Sequence, residues 1–120
     1  MVQTVLLAED EETIRTVVAI SLQHEYSVLP VCDADEALRV ARNHEDITLL
    51  LTDVQMDSGS MNGIELAEHV QEENPATKVL VMSGSPGALT LAAEKGYPFL
   101  AKPFTLSRLT ERVREVLAAA

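Results

Sequence analysis

The apolar residues of this chain fall into short runs rather than one long stretch. Val5-Leu6-Leu7-Ala8, Ile47 to Thr52 and Val79-Leu80-Val81-Met82 each end abruptly in polar residues, as strands buried on both faces do. Tyr26 to Val31 and Tyr97 to Ala101 are weaker runs of the same kind and suit positions nearer a sheet edge.

Helical periodicity fills the gaps between these runs. Ile14, Val17, Val18 and Leu22 share helical spacing behind the acidic pair Glu11-Glu12, which favours a helix N-terminus. Asp33 with Glu36, and Asn62 with Glu65, have the three-residue offset of capping boxes, and apolar faces follow at Ala37, Leu38, Ala41 and at Leu66, Ala67, Val70. Ser85-Pro86 suits a cap plus first helical residue, and Gly96 suits the stop after a short helix carrying Leu89, Ala92 and Ala93. A last helix opens at Thr105, with Leu106, Leu109, Val113, Val116 and Leu117 as one stripe.

Five strands alternating with five helices predict a doubly wound α/β domain with a parallel sheet, because parallel neighbours need crossover connections. The strand order assigned is 2-1-3-4-5. A ligand site is then expected beyond the carboxyl ends of the strands, where the order reverses between strands 1 and 3. The residues delivered there are Glu9-Asp10, Asp53, Ser83 and Lys102. Each alone has a plain reading: a cap, a turn residue, a strand terminator, a solvated charge. Together they place three carboxylates on one rim, and their repulsion calls for protonation or a cation. A hard divalent ion such as Mg²⁺, which takes oxygen ligands and retains waters, suits that set.

Composition narrows the alternatives. At 120 residues, read as one domain spanning 1–120, the chain has 47% hydrophobic and 23% charged residues, within the globular range. With 9 basic and 19 acidic residues the formal net charge is -10, which disfavours direct nucleic-acid binding and anionic membranes. No run approaches a membrane span, and Val2 to Ala8 lacks the basic flank and cleavage site of a signal peptide, so a cytoplasmic address is expected. The single Cys32 cannot form an internal disulfide and reads as the end of a buried strand. His24, His44 and His69 lack metal-ligand spacing and read as surface residues.

Four segments, Val5 to Glu11, Leu51-Thr52-Asp53, Val81-Met82-Ser83-Gly84 and Leu100 to Phe104, resemble the response-regulator receiver domain of two-component systems, in the family's order along the whole chain. The resemblance implies a flavodoxin-like (βα)5 fold. It also implies that Asp53 accepts a phosphoryl group from a sensor histidine kinase or phosphotransfer protein. Mg²⁺ would be held by Asp10, Asp53 and the backbone carbonyl of Gln55, with Glu9 acting directly or through water. Lys102 would pair with the carboxylate and then with phosphoryl oxygens. Ser83 and Phe99 would be the switch pair, and Pro103, after a cis bond, structural support. The output surface would be helix 4, strand 5 and helix 5, signalling to a downstream protein or to a phosphorylation-dependent homodimer. On this reading the chain is a signalling domain rather than an enzyme with an external substrate.

Two stretches depart from the family pattern. Met56 to Gly63 lacks the usual Pro and is about two residues longer, which makes Asp57 a candidate ligand beside its plain reading as a solvated carboxylate. The short interval from Ser83 to Lys102 predicts a truncated fourth helix. Gln55 and Ser85 flank the expected phosphoryl site, where a Gln amide either orients or blocks an attacking water. The rival readings are an aspartate-nucleophile phosphatase, which lacks its Asp-x-Asp signature here, and a degenerate receiver acting only as a binding module.

Overall fold

The computed structural model describes residues 2–57 and 59–119. Strands β1 (Thr4–Ala8), β2 (Ser27–Val31), β3 (Ile47–Asp53), β4 (Lys78–Ser83) and β5 (Phe99–Ala101) alternate with helices α1 (Glu12–Gln23), α2 (Ala34–Asn43), α3 (Gly63–Glu73), α4 (Pro86–Glu94) and α5 (Leu106–Ala118). All pairings are parallel and the sheet order is β2-β1-β3-β4-β5, as the sequence predicts.

Strand alternation sorts the core into two layers. Val5 and Leu7 of β1, Leu49 and Leu51 of β3, and Leu80 and Met82 of β4 pack with Val18, Leu22, Leu109 and Val113 of α1 and α5. Leu6, Leu50, Val79 and Val81 face the opposite layer, with Leu38 of α2, Leu66 and Val70 of α3 and Ala92 of α4. Each fully buried leucine contributes about 1.5–3 kcal/mol relative to an exposed one. Pro30 is tolerated because β2 lies at the edge of the sheet.

The caps follow the residues that announce them. Asn62 and Glu65 form a reciprocal capping box on α3, Ser85 caps α4 with Pro86 at its first turn, and Thr105 caps α5. Gly96 takes φ +81° just past α4, a conformation glycine accepts without a Cβ clash. The Asp33–Glu36 box is only half made: Asp33 accepts from the Glu36 amide at 2.7 Å, while the Glu36 carboxylate accepts from Cys32 Sγ at 3.3 Å.

That contact corrects the expectation for Cys32. The strand ends at the buried Val31, and Cys32 is exposed at the start of the turn into α2. Three residues assigned to apolar positions are also exposed, Val17 at 43%, Leu106 at 44% and Ala93. The fifth strand begins at Phe99 rather than Tyr97. His24, His44 and His69 are exposed, as expected. No helix among the described residues is long and apolar enough to cross a membrane.

Candidate functional site

Glu9 continues the β1 alternation, and its N–H donates to Val31 O at 3.1 Å, so its side chain takes the same parity as Val5 and Leu7. Asp53 has the parity of Leu49 and Leu51, and Lys102 that of Leu100. Period-two geometry thus delivers two carboxylates and one ammonium to one side of the sheet's carboxyl edge. Lys102 Nζ donates to Glu9 Oε1 at 2.7 Å and lies 3.2 Å from Asp53 Oδ2. Its nearer partner is therefore Glu9, whose second oxygen accepts from the Glu11 N–H at 3.1 Å.

Glu9 is completely buried and Asp53 only 6% exposed, while Asp10 is partly open. One carboxylate oxygen from each of the three lies within 4.8 Å of the others. Three carboxylates against one lysine leave an excess of negative charge. Burial pushes the Asp53 carboxyl up to about 6, with the charge of Glu9 adding to the shift, Lys102 opposing it and Asp10 adding a smaller part. Burial also works against the Lys102 ammonium, but the hydrogen bond to Glu9 and the charges of Asp53 and Glu9 outweigh it and hold its pKa above the usual lysine value. An all-oxygen set with surplus charge and a partly open member fits a hard divalent cation. These are the residues that could hold one.

The remaining predicted residues surround this cluster. Ser83 ends β4 fully buried, donating from Oγ to Gln55 Oε1 at 2.9 Å and accepting from the Ser85 N–H at 3.0 Å. The Lys102-Pro103 peptide is cis. Phe99 is 39% exposed, so it is a surface aromatic and not a core one. Asp57 is exposed and contributes its backbone N–H, which donates to Asp10 Oδ2 at 2.8 Å; its carboxylate is outside the three-carboxylate cluster.

Two residues escape the sequence reading. Arg15 reaches back from α1, donating from Nη1 to Glu9 O at 2.9 Å and more weakly to Asp10 O at 3.4 Å, which pins the backbone under the acidic pair. Gly63 begins α3 against β3: a Cβ there would sit 1.9 Å from Asp53 O, while its N–H donates to Val54 O at 2.9 Å. The Gly after Asn62 is the only sequence signal, and it reads equally as part of a loop.

The family model described as the response regulator receiver domain matches residues 5–114. The nitrogen assimilation regulatory protein NtrX of Azorhizobium caulinodans is 34% identical over 125 residues, covering 98% of this chain and 27% of that protein. The response regulator receiver protein CpdR of Brucella abortus is 31% identical over 120 residues, covering 97% of this chain and 98% of that one. Among solved structures, the chemotaxis protein CheY4 of Vibrio cholerae superposes with a TM-score of 0.85 at 27% identity, covering 97% of this chain and 99% of that chain. The chain therefore spans about a quarter of the first relative and nearly all of the second.

Proposed function

The chain belongs to the response regulator receiver domain family, and from that premise we propose that it is one receiver unit whose Asp53 is the phosphoryl acceptor. The observation that carries this is the placement of Asp53: nearly buried, 3.2 Å from the Lys102 ammonium and within 4.8 Å of two further carboxylates. The donor is a phosphohistidine on a sensor kinase or phosphotransfer protein. A carboxylate oxygen of Asp53 attacks phosphorus in line, the P–N bond breaks, and the departing imidazole keeps the electron pair and takes up a proton.

Asp10, Asp53 and the Gln55 backbone carbonyl are the proposed ligands of Mg²⁺, with Glu9 acting directly or through a water. When bound, the ion supplies neutralisation of the carboxylates and of the phosphoryl oxygens. Lys102, already shared between Glu9 and Asp53, turns part of its hydrogen bonding to the transferring group, whose charge sits on the equatorial oxygens. Ser83 then donates to the phosphoryl group, and Phe99 turns inward from its exposed position. Leu91 at 40% exposure and Phe99 at 39% put apolar surface on the α4–β5–α5 face, which supports that face as the one a downstream protein or a second copy reads.

The test is intact mass after incubation with acetyl phosphate. A Mg²⁺-dependent gain of one phosphoryl group in the wild type, absent from Asp53→Asn, is the expected outcome. Equal labelling of the variant would overturn the acceptor assignment, and no labelling even from a phosphorylated histidine domain would favour a receiver that only binds partners.

A further inference from the structure

Ser83 has one hydroxyl proton, and it is spent. The side chain donates to Gln55 Oε1 at 2.9 Å while its oxygen accepts from the Ser85 N–H at 3.0 Å. A hydroxyl donates once, so in this arrangement Ser83 has nothing to offer an acceptor on Asp53. We propose that the Gln55 amide is a latch on Ser83, a positioning residue whose hydrogen bond must be exchanged before Ser83 can engage a phosphoryl group, so that Gln55 sets how readily phosphorylation switches the domain. This rests on Asp53 being the acceptor.

The two ends of the latch differ in burial, which makes it reversible. Ser83 is fully buried and Gln55 is exposed. When Ser83 turns to an anionic oxygen it keeps a partner, and the released Gln55 carbonyl is hydrated by solvent, so neither group is orphaned. A charged acceptor makes the stronger bond, roughly twice that of a neutral one, and the exchange runs downhill once Asp53 is phosphorylated. Before phosphorylation, the Gln55 contact holds the resting state. The same hydroxyl also accepts from the residue that caps α4, since Ser85 Oγ accepts from the Ala88 N–H at 3.3 Å. Re-aiming Ser83 is therefore felt at the first turn of α4.

Gln55→Met keeps the side-chain bulk and the backbone carbonyl while removing the acceptor. Beryllium fluoride, a phosphoryl mimic, is titrated into the full chain at saturating Mg²⁺, with bound fluoride read by ¹⁹F NMR, for wild type, Gln55→Met, Ser83→Ala and the double variant. The expected result is roughly three- to tenfold tighter binding by Gln55→Met, the worth of one net hydrogen bond, and no gain from Gln55→Met once Ser83 is alanine. Equal or weaker binding by Gln55→Met overturns the latch. So does an equal gain in the Ser83→Ala background, which would show that Gln55 acts independently of Ser83. A wild type that takes up no beryllium fluoride removes the acceptor reading and the latch with it, and that silence separates it from a failed latch in a binding-competent protein.

Discussion

Asp53 is the residue where the fold's needs and the proposed chemistry diverge. Its carboxyl is raised by burial and by Glu9 to about 6, against an ordinary 3.8, so the folded state holds the proton more tightly than the unfolded chain. The favourable contribution of the neutral form is complete below pH about 4 and is lost as the pH rises through about 6, a change of about 3 kcal/mol for that shift. Asp53→Asn lacks this titration. Urea unfolding without divalent cations at pH 4 and at pH 7 is expected to show the variant gaining on the wild type by about 2–3 kcal/mol between the two. A constant difference would show that Asp53 is not held at a cost. Gly63 is constrained in a different way: Gly63→Ala drives a Cβ against Asp53 O, forcing apart β3 and the start of α3. A loss of about 1–3 kcal/mol or more is expected in the same assay, with Gly96→Ala as a comparison that meets open space but a strained φ. The acidic pair, Asp53 and Lys102 were legible in the sequence because strand ends are legible and side-chain parity does the rest. Arg15 and Gly63 were not, since one depends on a guanidinium reaching back across a turn and the other on how closely two backbones cross.

At the scale of elements, the helices announced themselves where one side chain does one job. Asn62–Glu65, Ser85-Pro86 and Thr105 are capping signals with no competing partner, and all three hold. Asp33–Glu36 has the same spacing, but Cys32 offers Glu36 a second partner, which sequence offset alone does not show. Val17 and Leu106 fit helical stripes yet remain exposed, because a stripe wider than the sheet it covers leaves its margin in solvent. The residues between β3 and α3 are legible in the sequence as a polar connection, but its anchoring is not. Ser60 binds Asp35 of α2 twice, N–H to Oδ2 at 3.0 Å and Oγ to Oδ1 at 2.7 Å, and Gly59 supplies the φ of +96° that brings the chain there. Asp35→Ala is expected to accelerate hydrogen exchange of the Ser60 amide by about tenfold, the low end for a bond to a charged group. Amides of Leu49 to Leu51 in the central strand should not respond. An unchanged Ser60 would mean that the connection is held from its other contacts, such as the Asp57 N–H on Asp10.

For the molecule as a whole, the proposed donor must reach Asp53 past a carboxyl edge that carries excess negative charge, on a chain with a net charge of -10. That edge repels the phosphoryl group itself, so the contacts that seat a donor protein have to come from elsewhere on the surface, apolar surface among them. Among the described residues one groove has that character and touches the site: Ile14 and Val17 of α1 line it together with Phe104, Leu106, Gly84 and Lys102. Ile20, at 57% exposure, extends the same helix face. Lys102 lines both this groove and the acceptor cluster, so on the proposed donor chemistry a protein bound in the groove would lie next to the acceptor site. Val17→Asp places a charge in the groove, at an exposed helix position where the fold tolerates it. It should slow phosphotransfer from a protein donor by tenfold or more, about 1.4 kcal/mol of lost contact. Labelling by acetyl phosphate, which needs no docking surface, should stay within about twofold on the same free-energy scale. If both donors slow together, the substitution has disturbed the acceptor site itself. If neither slows, this groove is not the surface on which the donor docks.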